Sequence, residues 1–138
     1  MNALARSMLT LALAAPAAYG ADLTVTLAGV SPNRGKVYVA VYDRAEAFPH
    51  PGHQRAGQIL TPDADTLTVR FTDLPSGRYA AVAFQDFNGN GELDKNLFGI
   101  PREPYGFSNR ARGSMGPPKF EEAAVSLVSD ATTTITLK

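Results

Sequence analysis

The sequence contains no cysteine. A chain without thiols cannot form a disulfide, use thiol catalysis, bind zinc or an iron–sulfur cluster through cysteine, or carry the lipid anchor of a lipoprotein. A basic stripe and blocks of like charge are also lacking, which removes the electrostatic argument for nucleic acid or an anionic membrane as partner. Stability must therefore come from an apolar core, to which a bound ion can add.

A long hydrophobic run is missing as well. The apolar stretch MLTLALAAPAA follows a single early charge, Arg6, and is shorter than the roughly 20 residues of a membrane span. Small residues in AYG precede Ala21, as a secretory signal requires. We expect residues 1–20 to be a signal peptide and residues 21–138 to form one exported domain, periplasmic or secreted, with no transmembrane segment. The alternative is a buried N-terminal helix.

Alternation of apolar and polar residues characterises the predicted domain, beginning with two strands. DLTVTLAGV (22–30) and GKVYVAVYD (35–43) each place alternate apolar side chains on one face, the period of a half-buried strand. In the second strand, Tyr38 and Tyr42 lie on the face opposite the valines. Because SPNRG between the strands is rich in turn formers, it predicts a hairpin.

The same pattern continues towards the C terminus. DTLTVRFTDL (65–74) alternates again, and a tight turn at Pro75 to Gly77 leads into a strand expected to bury Val82 and Phe84. The last residues, FEEAAVSLVSD and TTTITLK, predict a final hairpin with Val125 and Leu127 facing Ile135 and Leu137. No helix of ordinary length is expected. Six or seven short strands predict an all-β fold, an antiparallel β-sandwich of immunoglobulin-like or prealbumin-like type.

One segment, Phe87 to Pro118, breaks this pattern with six glycines and four prolines. Structureless loops longer than roughly 12–15 residues are uncommon in compact domains and are usually functional or disordered. Apolar anchors favour an ordered loop packed along one end of the sandwich. These anchors are Phe87, Phe98, Ile100, Tyr105, Phe107 and Met115.

DFNGNGELD, residues 86–94, opens this segment with oxygen-bearing residues at every second position. Calcium prefers six to eight oxygen ligands, which short Asp and Asn side chains around a tight bend supply locally. The spacing matches the first nine positions of an EF-hand-type loop, with Gly91 at the sixth position. The expected ligands are Asp86, Asn88, Asn90, Glu92 and Asp94.

The match to a calcium loop is incomplete. Leu97 occupies the twelfth position, where that loop carries a bidentate glutamate, and no helix flanks the motif. We expect Glu103 to complete the shell of a weak site, with a dissociation constant of roughly 10⁻⁴–10⁻³ M. The alternative is a metal-free turn, since Asn-Gly sequences tolerate positive φ and hydrogen-bond their own backbone.

YGFSNRARG, residues 105–113, is a second candidate site. Tyr105 and Phe107 can stack on a sugar or a similar group, while Arg110 and Arg112 can pair with an anion. In the alternative interpretation, the two rings only hold the loop against the sandwich.

The histidines offer weaker candidates. His50 and His53 can share a transition metal, but no third ligand lies at a suitable spacing. A hydrolase would require one of them beside Ser108 as its base.

Two resemblances to known families follow from these residues. AFQDFNGNGELDKNLFGIPREPYGFSN, followed by GPPKFEEAAVSL, resembles the central signature of a bacterial exported family, domain of unknown function 2141. This resemblance implies an exported, β-rich single domain and implies no activity. DLPSGRYAAVAFQDFNGNG is similar to a strand of transthyretin-like and collagen-binding B-type sandwich domains, which supports the architecture but transfers no binding residues.

The sequence thus predicts an exported, non-enzymatic β-sandwich in which calcium at residues 86–94 orders a ligand- or partner-binding surface. The expected partner is a cell-envelope protein or a glycan. The alternatives are a metal-independent module for a carbohydrate or small ligand, and a hydrolase.

Overall fold

The computed structural model describes residues 20–138, and the expected signal peptide, apart from its last residue, lies outside the described residues. Short strands form nearly all of the regular structure, with a turn of 3₁₀ helix at Ser108–Arg110 and a short helix α1 at Phe120–Ala123. The strands are β1 Ala21–Ala28, β2 Lys36–Tyr42, β3 Ala56–Leu60, β4 Leu67–Leu74, β5 Gly77–Asp86, β6 Tyr105–Phe107, β7 Ala124–Leu127 and β8 Ala131–Thr136.

The strands form two packed sheets, which confirms the predicted all-β sandwich. The smaller sheet has the order β4-β1-β8, and its β1–β8 pair is parallel. The larger sheet has the order β3-β2-β5-β6. β7 and β6 pair with the same edge of β5, β7 with residues 77–80 and β6 with residues 82–84. Of the eight strands, β3 and β6 were not predicted.

Both predicted hairpins are wrong. β1 pairs with β4 and β8, whereas β2 pairs with β3 and β5. β7 and β8 likewise belong to different sheets. Each short connection therefore crosses from one sheet to the other. Strands with one apolar face can meet across a core as well as edge to edge, and alternation does not distinguish the two arrangements.

The main core lies between the sheets and contains the predicted inward side chains of β1 and β2. The expectation for β5 is wrong: Ala81 and Ala83 are fully buried in this core, while Val82 and Phe84 lie on the other face and are only partly buried. The inward positions of β5 hold small alanines, and the outer face holds the larger Val82 and Phe84. Side-chain size therefore predicted the wrong face of β5 as the buried one. Tyr38 lies on this outer face beside Phe84, as predicted for the face opposite the valines.

A second apolar cluster covers part of the outer face of the larger sheet. Phe48, in the β2–β3 connection, packs edge to face against Tyr42, Phe107 and Phe120 with ring centroids 5.4, 5.9 and 6.0 Å apart. The connection and α1 therefore shield one half of that face and leave the half around Tyr38 open.

Different kinds of hydrogen bond join the two sheets along the two long sides of the sandwich. At β6, Tyr105 and Lys138 exchange two backbone hydrogen bonds of 3.2 Å. Gly106 permits this approach, because a Cβ there would lie 2.4 Å from the carbonyl oxygen of Thr136. On the opposite side, the side chain of Gln58 in β3 donates a 2.9 Å hydrogen bond to the carbonyl oxygen of Arg70 in β4.

Within residues 20–138, no helix has the length and apolar character needed to cross a membrane.

Candidate metal loop and binding groove

Asp86 organises the loop that follows β5. Its carboxylate is fully buried and accepts hydrogen bonds from the backbone N–H groups of Gly89 (3.0 Å) and Gly91 (2.7 Å). Both glycines have positive φ, 73° and 75°, a conformation that costs glycine little and other residues more. The carboxylate thus bends the chain around itself, as the predicted loop requires.

The side chains of Asn88 and Asn90 continue this turn, and each of them both accepts and donates a hydrogen bond. Their side-chain oxygens accept the backbone N–H groups of Asn90 (3.2 Å) and Glu92 (3.0 Å), respectively, two residues further on. Their side-chain nitrogens donate to the two carboxylate oxygens of Asp94, at 2.6 Å from Asn90. The negative charge of Asp94 is therefore already compensated by two amide groups.

Glu103 closes the base of the loop. Its buried carboxylate accepts a hydrogen bond from the backbone N–H of Phe87 through one oxygen (2.6 Å) and from that of Asp94 through the other (3.0 Å). The guanidinium of Arg34 also lies 3.8 Å from the centre of the Phe87 ring. One carboxylate thus fixes both ends of the loop, and its two oxygens are directed at backbone N–H groups.

The donor set of this loop suits a hard cation, because every side-chain ligand is oxygen. Asp86, Asn88, Asn90 and Asp94 supply these oxygens from side chains that hydrogen-bond within the loop. The Glu92 side chain is exposed, as are those of Asn88 and Asn90. In the described part of the chain, no three His, Asp or Glu side chains are grouped to share one metal ion. A calcium ion here would have two carboxylates, two amides and the Glu92 carbonyl, and it would have to displace the amide nitrogens from Asp94.

The histidines and Ser108 lie in different environments. His50 and His53 are exposed, with ring centroids 6.5 Å apart. Ser108 is fully buried, where its hydroxyl oxygen accepts the backbone N–H of Ala81 at 2.9 Å and the hydroxyl donates to the carbonyl oxygen of Ala123. This hydroxyl joins β5 to α1.

A groove of about 1880 Å³ runs over the open half of the outer face. Its floor contains Tyr38 and Phe84, whose rings stack with centroids 5.0 Å apart and planes 8° from parallel. Val82 and Tyr105 extend the floor. One wall is formed by residues 91–95 and 98–101, the continuation of the Asp86 loop.

A family model described as an uncharacterized protein conserved in bacteria (DUF2141) matches residues 25–136. The chain belongs to this family. The predicted resemblance is confirmed, and the match extends from β1 to β8, so that the loop and the groove are both part of the DUF2141 domain. No curated protein and no solved structure gives a significant match.

The groove of this DUF2141 domain brings together all four predicted ligand-binding residues. Tyr105, Arg110 and Arg112 line it, and both arginines are exposed. Phe107 also borders the groove but is 8% exposed and packs against Phe48, in line with the alternative interpretation for that ring. Sequence reasoning missed Tyr38 as a groove residue, although an aromatic ring on the outer face of a strand was the available signal.

Large apolar side chains are exposed around the groove of the DUF2141 domain. Several exposed apolar side chains that border one groove are typical of an interaction site. Four lining side chains are more than half exposed, namely Ile59 (61%), Phe98 (87%), Ile100 (58%) and Met115 (105%).

Proposed function

We propose that this member of the DUF2141 family is an exported, non-enzymatic binding protein that holds a ligand in the outer groove. In this proposal, the loop at residues 86–94 binds calcium and thereby orders one wall of the groove. The observation that carries the proposal is the position of the loop: residues 91–94 lie in both the candidate metal loop and the groove wall.

The groove itself supports a binding role. The side chains of Phe98 and Met115 are almost completely exposed at its rim, and they lose unfavourable contact with water when a ligand covers them. Tyr38 and Phe84 offer a flat aromatic floor between them. A cell-envelope protein or a glycan remains the proposed natural partner.

The support for calcium comes from the backbone. The Asp86 carboxylate already accepts the N–H of Gly91, five residues on, and thus holds the sharp bend that a nine-residue oxygen-rich loop needs. A cation among the side-chain oxygens would replace the amide nitrogens that now compensate Asp94. Its binding would then tighten the wall on which residues 91–95 lie.

Calorimetric titration with calcium tests this part, together with the thermal midpoint in calcium and in chelator. With a dissociation constant near 10⁻³ M, calcium at ten times that concentration should stabilise the domain by roughly 1.4 kcal/mol, which raises the midpoint by a few degrees. Magnesium, which demands a stricter octahedral shell, should give a smaller shift. No heat and no shift at millimolar calcium would overturn the calcium site.

A second candidate is a metal-independent carbohydrate- or small-ligand-binding module. It is favoured by Glu103, whose carboxylate holds both ends of the loop without any ion. Screening a glycan panel against the wild type and Tyr105→Ala separates the candidates. Binding that survives chelator and is lost in Tyr105→Ala supports the second candidate, whereas binding that needs calcium supports the first.

Export is proposed from the predicted signal peptide. Expression of the full chain in a bacterium with two membranes should yield a periplasmic protein that begins at Ala21. Mass spectrometry of the periplasmic fraction measures this, and an uncleaved chain retained with the cytoplasm would contradict it.

A further inference from the structure

We propose that the ligand of the outer groove is a monomeric long-chain carboxylate, whose hydrocarbon chain lies over the aromatic floor while its carboxylate pairs with Arg110 and Arg112. This inference rests on the proposed binding role of the groove, and it places a small amphiphile there instead of the cell-envelope protein or glycan.

The floor of the groove favours hydrocarbon over peptide. It is the side-chain face of a sheet, where Tyr38, Val82 and Phe84 present rings and methyl groups. The backbone N–H and C=O groups of β2 and β5 pair with neighbouring strands instead. A peptide lying here would lose water from its own polar backbone without gaining partners from the floor. A hydrocarbon chain incurs no such cost.

The size of the groove favours an elongated occupant. Its lining extends from β3, across β2 and β5, to residues 98–101 and 110–113. Exposed apolar side chains border it on both sides, Ile59 in β3 on one and Ile100 and Met115 on the other. A long chain can contact these separate side chains at once, whereas a compact ligand cannot.

Charge at the rim indicates the head group. Arg110 and Arg112 line the groove, and within residues 20–138 the ion pairs are Arg55–Asp43 and Arg70–Asp22, so neither groove arginine has a carboxylate partner. The lining also contains two lysines, Lys95 and Lys138, while its acidic residues, Glu92 and Asp94, belong to the wall at residues 91–95. A carboxylate can form paired hydrogen bonds with a guanidinium.

The backbone at Arg110 gives an independent reason to assign it a role. Asn109 and Arg110 have positive φ, 56° and 52°, a region that suits Gly and Asn but is uncommon for other residues and concentrates at functional sites. The Asn109 side chain holds this turn through a 2.6 Å hydrogen bond to the carbonyl oxygen of Ala124. Arginine is not favoured here by its backbone preference, and an anion in the groove accounts for its charge.

The test uses the uncharged fluorophore N-phenyl-1-naphthylamine as probe, displaced by dodecanoate or by 1-dodecanol below their aggregation limits. In the wild type, dodecanoate should displace the probe at roughly tenfold lower concentration than the alcohol. In Arg110→Gly/Arg112→Ala, where glycine suits the positive φ, dodecanoate should weaken to the level of the alcohol, whose affinity stays unchanged. Arg78→Ala removes an exposed arginine outside the groove and should leave both affinities unchanged.

Phe84→Ala separates this inference from the proposed function. Probe binding that is lost in Phe84→Ala, with equal displacement by dodecanoate and dodecanol in the wild type, overturns the carboxylate and leaves the groove as a binding site. Probe binding that is unaffected by Phe84→Ala overturns both. If the protein sediments with phosphatidylglycerol vesicles and dodecanoate does not displace the probe, the groove binds a membrane surface and the inference is overturned.

Discussion

The side-chain nitrogen of Asn90 lies 2.6 Å from a carboxylate oxygen of Asp94. Asn88 donates to the other oxygen of the same carboxylate. In a metal-free turn, both asparagines act as hydrogen-bond donors, whereas in a calcium site both would act through their oxygens. Substitution of these two asparagines can therefore distinguish a metal-free turn from a calcium site.

The double substitution Asn88→Asp/Asn90→Asp should have opposite effects with and without calcium. In chelator it removes both donors and adds two negative charges beside Asp94, which should destabilise the domain by about 1–3 kcal/mol. In calcium, the added charge should tighten binding on the order of tenfold and restore the thermal midpoint. Thermal unfolding in both conditions measures this.

Asn96→Asp is the control for added charge in the same segment, with one added charge instead of two. Its side-chain oxygen accepts the N–H groups of Phe98 and Ile100, and an aspartate can continue to do so. The control should respond to calcium as the wild type does. If the double variant is destabilised equally in calcium and in chelator, the loop is a metal-free turn.

Glu103→Gln should loosen the base of the loop. The glutamine keeps one acceptor oxygen but presents an NH₂ group to the second backbone N–H, so Phe87 or Asp94 loses its partner. Leaving one buried donor unpaired costs about 1–3 kcal/mol. Urea denaturation measures the loss, and limited trypsin digestion should cut faster at Lys95 and Arg102. Glu121→Gln, at an exposed position in α1, should change neither; equal behaviour of the two variants would contradict the role given to Glu103.

Phe48→Ala should show how much the second apolar cluster contributes. The Phe48 ring contacts three other aromatic rings, so its removal leaves a cavity and should cost about 3–5 kcal/mol. Phe98→Ala removes the same atoms from a side chain that is 87% exposed and should change stability by less than about 0.5 kcal/mol. Denaturant unfolding compares them, and similar losses would show that Phe48 is not a core residue.

Asp22 should make stability depend on pH. A hydrogen bond from the backbone N–H of Asp73 lowers the pKa of Asp22; partial burial opposes this shift, and the neighbouring Arg70 guanidinium adds to it. A lowered pKa means that the charged form stabilises the folded state above the unfolded pKa of about 3.9, and that this contribution is lost as the pH falls through the folded value. The difference in thermal midpoint between wild type and Asp22→Asn should therefore be largest at pH 6 and decrease below about pH 4. A difference that stays constant down to pH 2 would contradict this.

Alternation in the sequence predicted which side chains share a face but not which strands pair. Leu23, Val25 and Leu27 are buried as expected, yet β1 pairs in parallel with β8, more than a hundred residues away. β3 has mostly exposed side chains, so it carries no alternating signal and was not predicted.

The sequence could predict the candidate site only where the residues in contact are close together along the chain. The turn at residues 86–94 follows from spacing, because Asp86, Asn88 and Asn90 each accept an N–H group two to five residues further on. The contact of Glu103 with Phe87 spans 16 residues, and no local rule selects it. The groove depends on the stacking of Tyr38 and Phe84 from neighbouring strands, which only the tertiary structure reveals.

The unequal joining of the two sides has a dynamic consequence. Separation of the sheets along β6 requires the paired backbone hydrogen bonds between Tyr105 and Lys138 to break, while the side of β3 and β4 is bridged by the Gln58 side chain. We therefore expect local opening to begin at β3 and its amide protons to exchange with solvent before those of β5. Residues 57–59 border the groove, so the width of the groove can fluctuate while the core remains intact.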